Sequence, residues 1–136
     1  MLNKLTPNLM VEDVHQTITC YQTILGLDVV MTLPEAPPYD FAIIRRDAVE
    51  LMFQSRRSLS ENVPALAGSP IGASQTFYIE VTGLADMYQK LRGQVEIVVD
   101  LHTTFYGTQE VYFRDINGYI LSFSEAIPPS EAEHRG

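Results

Sequence analysis

The feature that most constrains the fold of this chain is an internal repeat. Residues 8–53 predict a strand, a helix and three further strands, and residues 77–123 predict the same five elements in the same order. Val11 aligns with Val81 at an offset of 70 residues, which grows to 72 at the last strand. Agreement in both order and spacing is hard to obtain by chance, so we predict one supersecondary unit that occurs twice.

The helix of the first copy carries the most definite local signals. Apolar residues recur with helical spacing over 14–25, and Asp13 before them is a residue type that caps helices. Gly26 follows, where a chain leaves a helix in the left-handed conformation. A second helix is predicted from Leu84 to about residue 91. The predicted strands are 8–11, 27–33, 41–44, 48–53, 77–81, 95–99, 110–114 and 119–123, with His102 in a loop over 100–108.

Length and composition indicate a single globular domain. The chain has 136 residues, of which 46% are hydrophobic and 19% charged, enough to bury one core. We assign the domain to residues 1–127. Within it we predict a first module at 5–55, a linker rich in Ser, Pro and Gly at 56–73 and a second module at 74–126, with a flexible tail at 128–136.

Charge and hydropathy exclude several classes of partner. The net charge of −8 repels a phosphate backbone, so we expect no nucleic acid. No apolar run approaches the ~20 residues of a membrane helix, and the first residues lack the apolar stretch of a secretion signal. We therefore expect no membrane partner and a cytoplasmic location. The single cysteine, Cys20, excludes an internal disulfide and a cysteine-based metal site.

Short motifs along the repeat resemble those of a known superfamily. They are Leu9-Met10-Val11-Glu12-Asp13-Val14, Cys20-Tyr21, Leu25-Gly26-Leu27 and Asp115-Ile116-Asn117-Gly118-Tyr119. In this order they resemble the vicinal-oxygen-chelate superfamily of glyoxalases, bleomycin-resistance proteins and extradiol dioxygenases. Tyr106-Gly107 and Glu50-Leu51-Met52-Phe53-Gln54 look most like the bleomycin-resistance branch. The resemblance implies an α+β fold of two β-α-β-β-β modules, a curled mixed sheet around a central cleft, and a homodimer.

The resemblance also implies where a metal would be held. The four positions that carry metal ligands in metal-dependent members fall on Thr6, Glu50, Thr76 and Ser122. Neutral hydroxyl groups are poor ligands for Zn, Ni or Fe, whereas imidazole and carboxylate are common ones. One carboxylate among four positions is too little, so we expect no metal and no other cofactor.

Strand alternation predicts a ligand-binding face. Successive side chains of a strand point to opposite faces, and one face collects hydroxyls, amides, methionine and tyrosine. We predict ligand binding on this face and on the loop that carries Tyr106. The candidate ligand-binding residues are Thr6, Asn8, Glu50, Met52, Thr76, Tyr78, Tyr106 and Ser122.

Three functions are compatible with this pattern. The first is a metal-free protein that binds a small molecule, such as a drug-like or cationic aromatic compound that pairs with Glu50 and stacks on tyrosine. The alternative is a glyoxalase-class lyase, isomerase or dioxygenase with Glu50 as its candidate catalytic base. A third is an interaction or regulatory module that needs no ligand in a cleft.

Overall fold

The computed structural model describes residues 1–129, and the chain divides into two compact units between Ala73 and Ser74. The first unit contains β1 (Asn8–Val11), α1 (Val14–Leu25), β2 (Asp28–Leu33), β3 (Phe41–Arg46), β4 (Val49–Ser55), α2 (Arg56–Asn62) and a short 3-10 helix (Pro64–Leu66). The second contains β5 (Thr76–Glu80), α3 (Leu84–Leu91), β6 (Glu96–Thr103), β7 (Thr108–Arg114) and β8 (Ile120–Ala126).

Each module forms its own four-stranded mixed sheet. The strand orders are β1-β4-β3-β2 and β5-β8-β7-β6. In each sheet the first strand runs parallel to the last, and the other neighbours are antiparallel. The prediction of an α+β fold with two β-α-β-β-β modules is therefore confirmed, and the two sheets have the same topology.

The helix α1 forms where the sequence predicts it. An Asp13 carboxylate oxygen accepts a hydrogen bond from the backbone N–H of Gln16 at 2.9 Å, which caps the helix. Gly26 ends the helix with φ of +64°. The buried side of α1 lies against β3 and β4, and the ring of Tyr21 packs 4.9 Å from the ring of Phe53. These contacts form the core of the first module.

The core of the second module lies between its sheet and α3. Val111 and Phe113 of β7 are fully buried, as are Leu121 and Phe123 of β8, and α3 lies against β8. Because strand side chains alternate, the intervening residues of β7 and β8 point to the opposite face of this sheet. That face carries the polar side chains of the second module.

Two segments differ from the sequence prediction. β6 extends to Thr103, so His102 lies in a strand and not in the predicted loop, because β6 continues its pairing with β7 through His102 and Glu110. The segment 56–73 contains α2, whose first turn is capped by the Ser55 hydroxyl. Of the predicted tail, residues 130–136 lie outside the described part of the chain.

No helix within residues 1–129 is long and apolar enough to cross a membrane. The cytoplasmic location stays a prediction.

Candidate functional site

The most unusual polar group of the second module is the carboxylate of Glu110 on β7. Its neighbour Val111 points into the core, so Glu110 points to the polar face of the sheet, yet its side chain is fully buried. A buried ionised carboxylate is costly unless it is paired or hydrogen-bonded. The charge of Glu110 therefore needs hydrogen-bond donors or a cation close to it.

Five hydroxyl groups surround the Glu110 carboxylate. Oε1 accepts hydrogen bonds from Tyr106 at 2.9 Å and Tyr112 at 3.2 Å. Oε2 lies 3.0 Å from the Tyr78 hydroxyl, 3.0 Å from Thr108 and 3.1 Å from Ser124. We call this set the Glu110 cluster. It comprises Glu110, Tyr78, Tyr106, Thr108, Tyr112 and Ser124.

No basic residue within residues 1–129 forms an ion pair with Glu110. Burial alone would raise the pKa of Glu110, but the hydrogen bonds from Tyr106, Thr108, Tyr78 and Ser124 outweigh it and hold the pKa below its ordinary value. The hydrogen bond to this carboxylate raises the pKa of Tyr106, and burial followed by the negative charge raises the pKa of Tyr112. Glu110 is therefore ionised at neutral pH and has hydroxyl partners in place of a cation.

Aromatic rings of the cluster are open to solvent while their hydroxyls point inward. The Tyr78 and Tyr106 residues are 55% and 54% exposed, and the fully exposed Phe105 ring meets the Tyr106 ring edge-on at 5.1 Å. Beside Tyr78 lies a concavity of about 560 Å³, lined by Tyr78, Glu80, Val81, Thr82, Thr108, Ser124, Glu125 and Ala126. The site therefore combines exposed aromatic faces, a nearby buried negative charge and an open concave surface.

The two carboxylates that line this concavity, Glu80 and Glu125, differ in what they contact. Glu125 accepts hydrogen bonds from the backbone N–H groups of Gly83 at 2.8 Å and Leu84 at 3.1 Å, which satisfies the start of α3. Glu80 is solvent-exposed at the end of β5. Glu80 is therefore the more accessible of the two carboxylates for a ligand.

Glu50, the candidate catalytic residue from sequence, lies in the first module with two cations beside it. Its Oε1 accepts a hydrogen bond from the Thr6 hydroxyl at 2.6 Å and lies 2.9 Å from Lys4 Nζ. Its Oε2 accepts from Arg45 Nε at 2.6 Å. The hydrogen bonds from Thr6, Lys4 and Arg45 lower the pKa of Glu50 from 4.5 to about 2. The charge of Glu50 is therefore already neutralised within its own module.

The other predicted site residues divide between the two modules. In the first, Asn8 donates to the side chain of Gln54 at 2.9 Å, and Met52 is half-buried. In the second, Thr76 is exposed at the start of β5, and the buried Ser122 lies on β8 in register with Tyr78 and Tyr112. The predicted pair Tyr78 and Tyr106 converges on one carboxyl group, that of Glu110, which is not among the site residues predicted from the sequence.

Strand alternation could have identified Glu110. The predicted strand 110–114 places Val111 and Phe113 on one face, which leaves Glu110 and Tyr112 on the other. Tyr78 and Ser122, two of the predicted ligand-binding residues, lie on the same face. No local pattern, however, indicates that Tyr106 turns its hydroxyl back to the strand, because a loop path has no periodic signal.

The donor set does not fit the metal site that the superfamily implies. Three of the four positions, Thr6, Thr76 and Ser122, offer only neutral hydroxyls, and both oxygens of Glu50 already bind a hydroxyl or cationic donors. Across residues 1–129 there is no group of three or more His, Cys, Asp or Glu side chains arranged to hold a metal ion.

Comparison with known proteins establishes the family. The model of the glyoxalase/bleomycin resistance protein/dioxygenase superfamily matches residues 2–123, so the chain belongs to this superfamily. The chain matches none of the curated proteins.

Solved structures agree in fold. A protein of unknown function from Agrobacterium tumefaciens str. C58 has a TM-score of 0.76 at 19% identity, covering 93% of this chain and 96% of its own. A glyoxalase/bleomycin resistance protein/dioxygenase from Nocardioides has a TM-score of 0.74 at 20% identity, and the match covers 95% of this chain and 87% of that one. TioX from Micromonospora sp. ML1 has a TM-score of 0.72 at 13% identity, and the match covers 93% of this chain and 100% of that one. At these identities the likeness shows the fold alone.

Proposed function

We propose that this member of the superfamily binds a cationic aromatic small molecule without a metal ion, and that the Glu110 cluster is its anchor. The observation that carries this proposal is the fully buried carboxyl group of Glu110, whose partners within residues 1–129 are all neutral hydroxyls. These hydrogen bonds hold its pKa below the ordinary value, which favours the ionised form. Hydroxyls stabilise the charge but do not cancel it. The second module therefore keeps a negative potential under exposed tyrosine rings.

The chemistry of the surface fits an aromatic cation. The face of a tyrosine ring attracts a cation within about 6 Å of its centre, and flat aromatic groups stack on such rings. The negative charge of Glu110 and the net charge of −8 both attract a cation. Apolar contact area and a fixed charge together are what a small-molecule site requires.

Glu50 is less suited than Glu110 to anchor a cationic ligand. A ligand cation at Glu50 would compete with Lys4 and Arg45, which already occupy its oxygens. Catalysis by Glu50 is disfavoured as well, because a general base works best with a pKa near the working pH and the pKa of Glu50 is about 2. We therefore place the proposed anchor on Glu110.

The proposal is tested with a matched pair of ligands. Benzyltrimethylammonium and neopentylbenzene have nearly the same shape, and only the first is charged. Because the chain has no tryptophan, tyrosine fluorescence can follow both titrations. We expect the cation to bind more tightly, with an affinity that falls as salt is raised. Equal affinity of the two compounds would contradict the proposal.

The anchor is tested with Glu110→Gln, with Glu50→Gln as the matched control. A unit charge about 8 Å from the ligand contributes about 1–2 kcal/mol at an effective dielectric constant of about 20–40, so we expect Glu110→Gln to weaken binding about 5- to 30-fold. Glu50→Gln should leave binding unchanged. If Glu110→Gln does not fold cooperatively, the exposed substitutions Tyr78→Leu and Tyr106→Leu replace it.

Absence of a metal is tested by elemental analysis of protein purified without chelators. We expect less than stoichiometric Zn, Ni, Fe and Mn. About one tightly bound transition-metal ion per chain would contradict the metal-free part of the proposal.

We also propose that the chain forms a homodimer, as its superfamily resemblance implies. Support comes from β2, an edge strand with four exposed apolar residues, which are Val29, Val30, Met31 and Leu33. An unpaired edge strand offers backbone groups and apolar area to a second copy. Sedimentation equilibrium should give twice the chain mass of 15.3 kDa, and a monomer at tens of micromolar would contradict this.

A further inference from the structure

The Glu110 carboxylate has no acceptor position left for a ligand. An ionised carboxylate offers about four lone-pair sites, and five hydroxyls lie within 3.2 Å of this one. The single proton of Tyr78 can be donated either to Glu110 at 3.0 Å or to the Ser124 hydroxyl at 2.8 Å. When it goes to Ser124, the remaining four hydroxyls still fill the carboxylate.

Because its acceptor positions are filled, the Glu110 carboxylate can attract a ligand only through its charge and not through a hydrogen bond. Glu110 is fully buried, so a ligand cannot reach its oxygens without displacing a hydroxyl of the cluster. An ammonium group with N–H bonds gives up hydrogen bonds to water when it binds, and here it finds no carboxylate acceptor in exchange. A cation without N–H bonds has no such loss.

The accessible part of the cluster is aromatic. Tyr78 and Tyr106 are each more than half exposed, while their hydroxyls are held on opposite oxygens of Glu110. A cation that approaches from solvent therefore meets ring surface first. Recognition of quaternary ammonium groups by aromatic side chains uses this kind of contact.

Building on the proposed function, we infer that the ligand carries its positive charge on a nitrogen without N–H bonds. Quaternary ammonium groups and N-alkylated aromatic rings are the two chemical classes that fit. The Glu110 cluster selects them over primary ammonium and guanidinium compounds because it offers ring faces and charge but no free acceptor.

Glu80 is the more exposed of the two carboxylates that could oppose this preference, since Glu125 already accepts from two backbone N–H groups. Its exposed carboxylate lines the same concavity and could accept from an N–H donor. Ion pairs at exposed positions contribute little, since water competes for both partners. We therefore expect Glu80→Gln to leave the order of ligand preference unchanged.

The experiment compares benzyltrimethylammonium with benzylammonium. Both carry one positive charge at pH 7 and the same benzyl group, and they differ in three methyl groups against three N–H bonds. We expect the wild-type protein to bind the first at least about fivefold more tightly. Neopentylbenzene and ethylbenzene are the neutral analogues of the two cations, so the ratio of their affinities corrects for the contact area of the methyl groups.

Three variants assign the preference to the cluster. Tyr78→Leu removes an exposed ring and should reduce the preference, whereas Tyr78→Phe keeps the ring and should retain most of it. Tyr88→Leu is the matched control, because Tyr88 lies in the same module but bonds to Asp100 and has Arg92 over its ring at 5.6 Å. It should leave the preference unchanged.

The outcomes separate this inference from the proposed function. If both cations bind more tightly than neopentylbenzene but benzylammonium binds as well as benzyltrimethylammonium, the inference fails and the proposed function stands. If neither cation binds better than neopentylbenzene, the proposed function fails and the inference fails with it. A preference that survives in the double variant Tyr78→Leu/Tyr106→Leu also overturns the inference, since it would then arise elsewhere.

Discussion

Saturation of the Glu110 carboxylate predicts that two hydroxyl groups of the cluster can replace each other. Tyr78 can donate to Ser124 or directly to Glu110, and Ser124 donates to the same carboxylate oxygen. Removal of either hydroxyl leaves the other in place as a donor to Oε2. The perturbation is therefore a double-mutant cycle with Tyr78→Phe and Ser124→Ala.

The magnitudes follow from the number of hydrogen bonds lost. Each single variant loses one neutral hydrogen bond and should cost about 0.5–1 kcal/mol of unfolding free energy. The double variant leaves Oε2 with Thr108 alone, so a hydrogen bond to a charged group is lost as well. Such a bond contributes about 1.5–3 kcal/mol, and we expect a total cost of about 2–3 kcal/mol. The coupling energy is then about 1 kcal/mol.

Urea unfolding at pH 7 measures the four free energies of the cycle. As a control, Tyr88→Phe combined with Ser124→Ala should be additive, because Tyr88 bonds to Asp100 and shares no partner with Ser124. A coupling energy below about 0.5 kcal/mol between Tyr78 and Ser124 would refute the argument. It would mean that water takes the vacated acceptor positions and that the carboxylate is not saturated.

Three further predictions concern the first module. Because the pKa of Glu50 is lowered from 4.5 to about 2, its ionised form stabilises the fold at pH values above 4.5, and this contribution should be lost as the pH falls towards 2. The unfolding free energies of wild type and Glu50→Gln, measured in urea, should therefore converge at low pH. Asp13→Ala removes the cap on the Gln16 N–H and should lower the unfolding free energy by about 0.5–2 kcal/mol, whereas an unchanged urea midpoint would argue against the cap. Gly26→Val should cost more than Asp13→Ala in the same assay, because φ is +64°, a conformation that a β-branched residue resists.

The sequence predicted elements well where local chemistry determines them. Asp13 and Gly26 bound α1 because a side-chain cap and a left-handed residue act within one turn. Strand alternation works in the same way, since Leu121 and Phe123 are buried as their spacing requires. Such signals need only neighbouring residues, so they can be read without knowledge of the fold.

The partners of charged groups could not be predicted in this way. Lys4 and Arg45 reach Glu50 from different segments, and Tyr106 reaches Glu110 from a loop. These contacts depend on chain paths and side-chain rotamers, for which the sequence has no periodic signal. The environment of each carboxylate therefore became visible only in the structure, although both residues lie on strands that the sequence predicted.

Comparison of the two modules shows why the first has no counterpart of the Glu110 carboxylate. Ile44 pairs with Leu51 in the first module and Val111 with Phe123 in the second, so the equivalent of Glu110 is Ile43. Ile43 pairs with Met52, whereas Glu110 pairs with Ser124. The first module thus has an apolar pair where the second has a carboxylate and a hydroxyl. A buried carboxylate at this position is sustained only by additional donors, which in the second module are the three tyrosines and Thr108. The exposed tyrosine rings and the buried carboxyl group are therefore linked, because the hydroxyls that hold the rings in place are the donors that stabilise the charge.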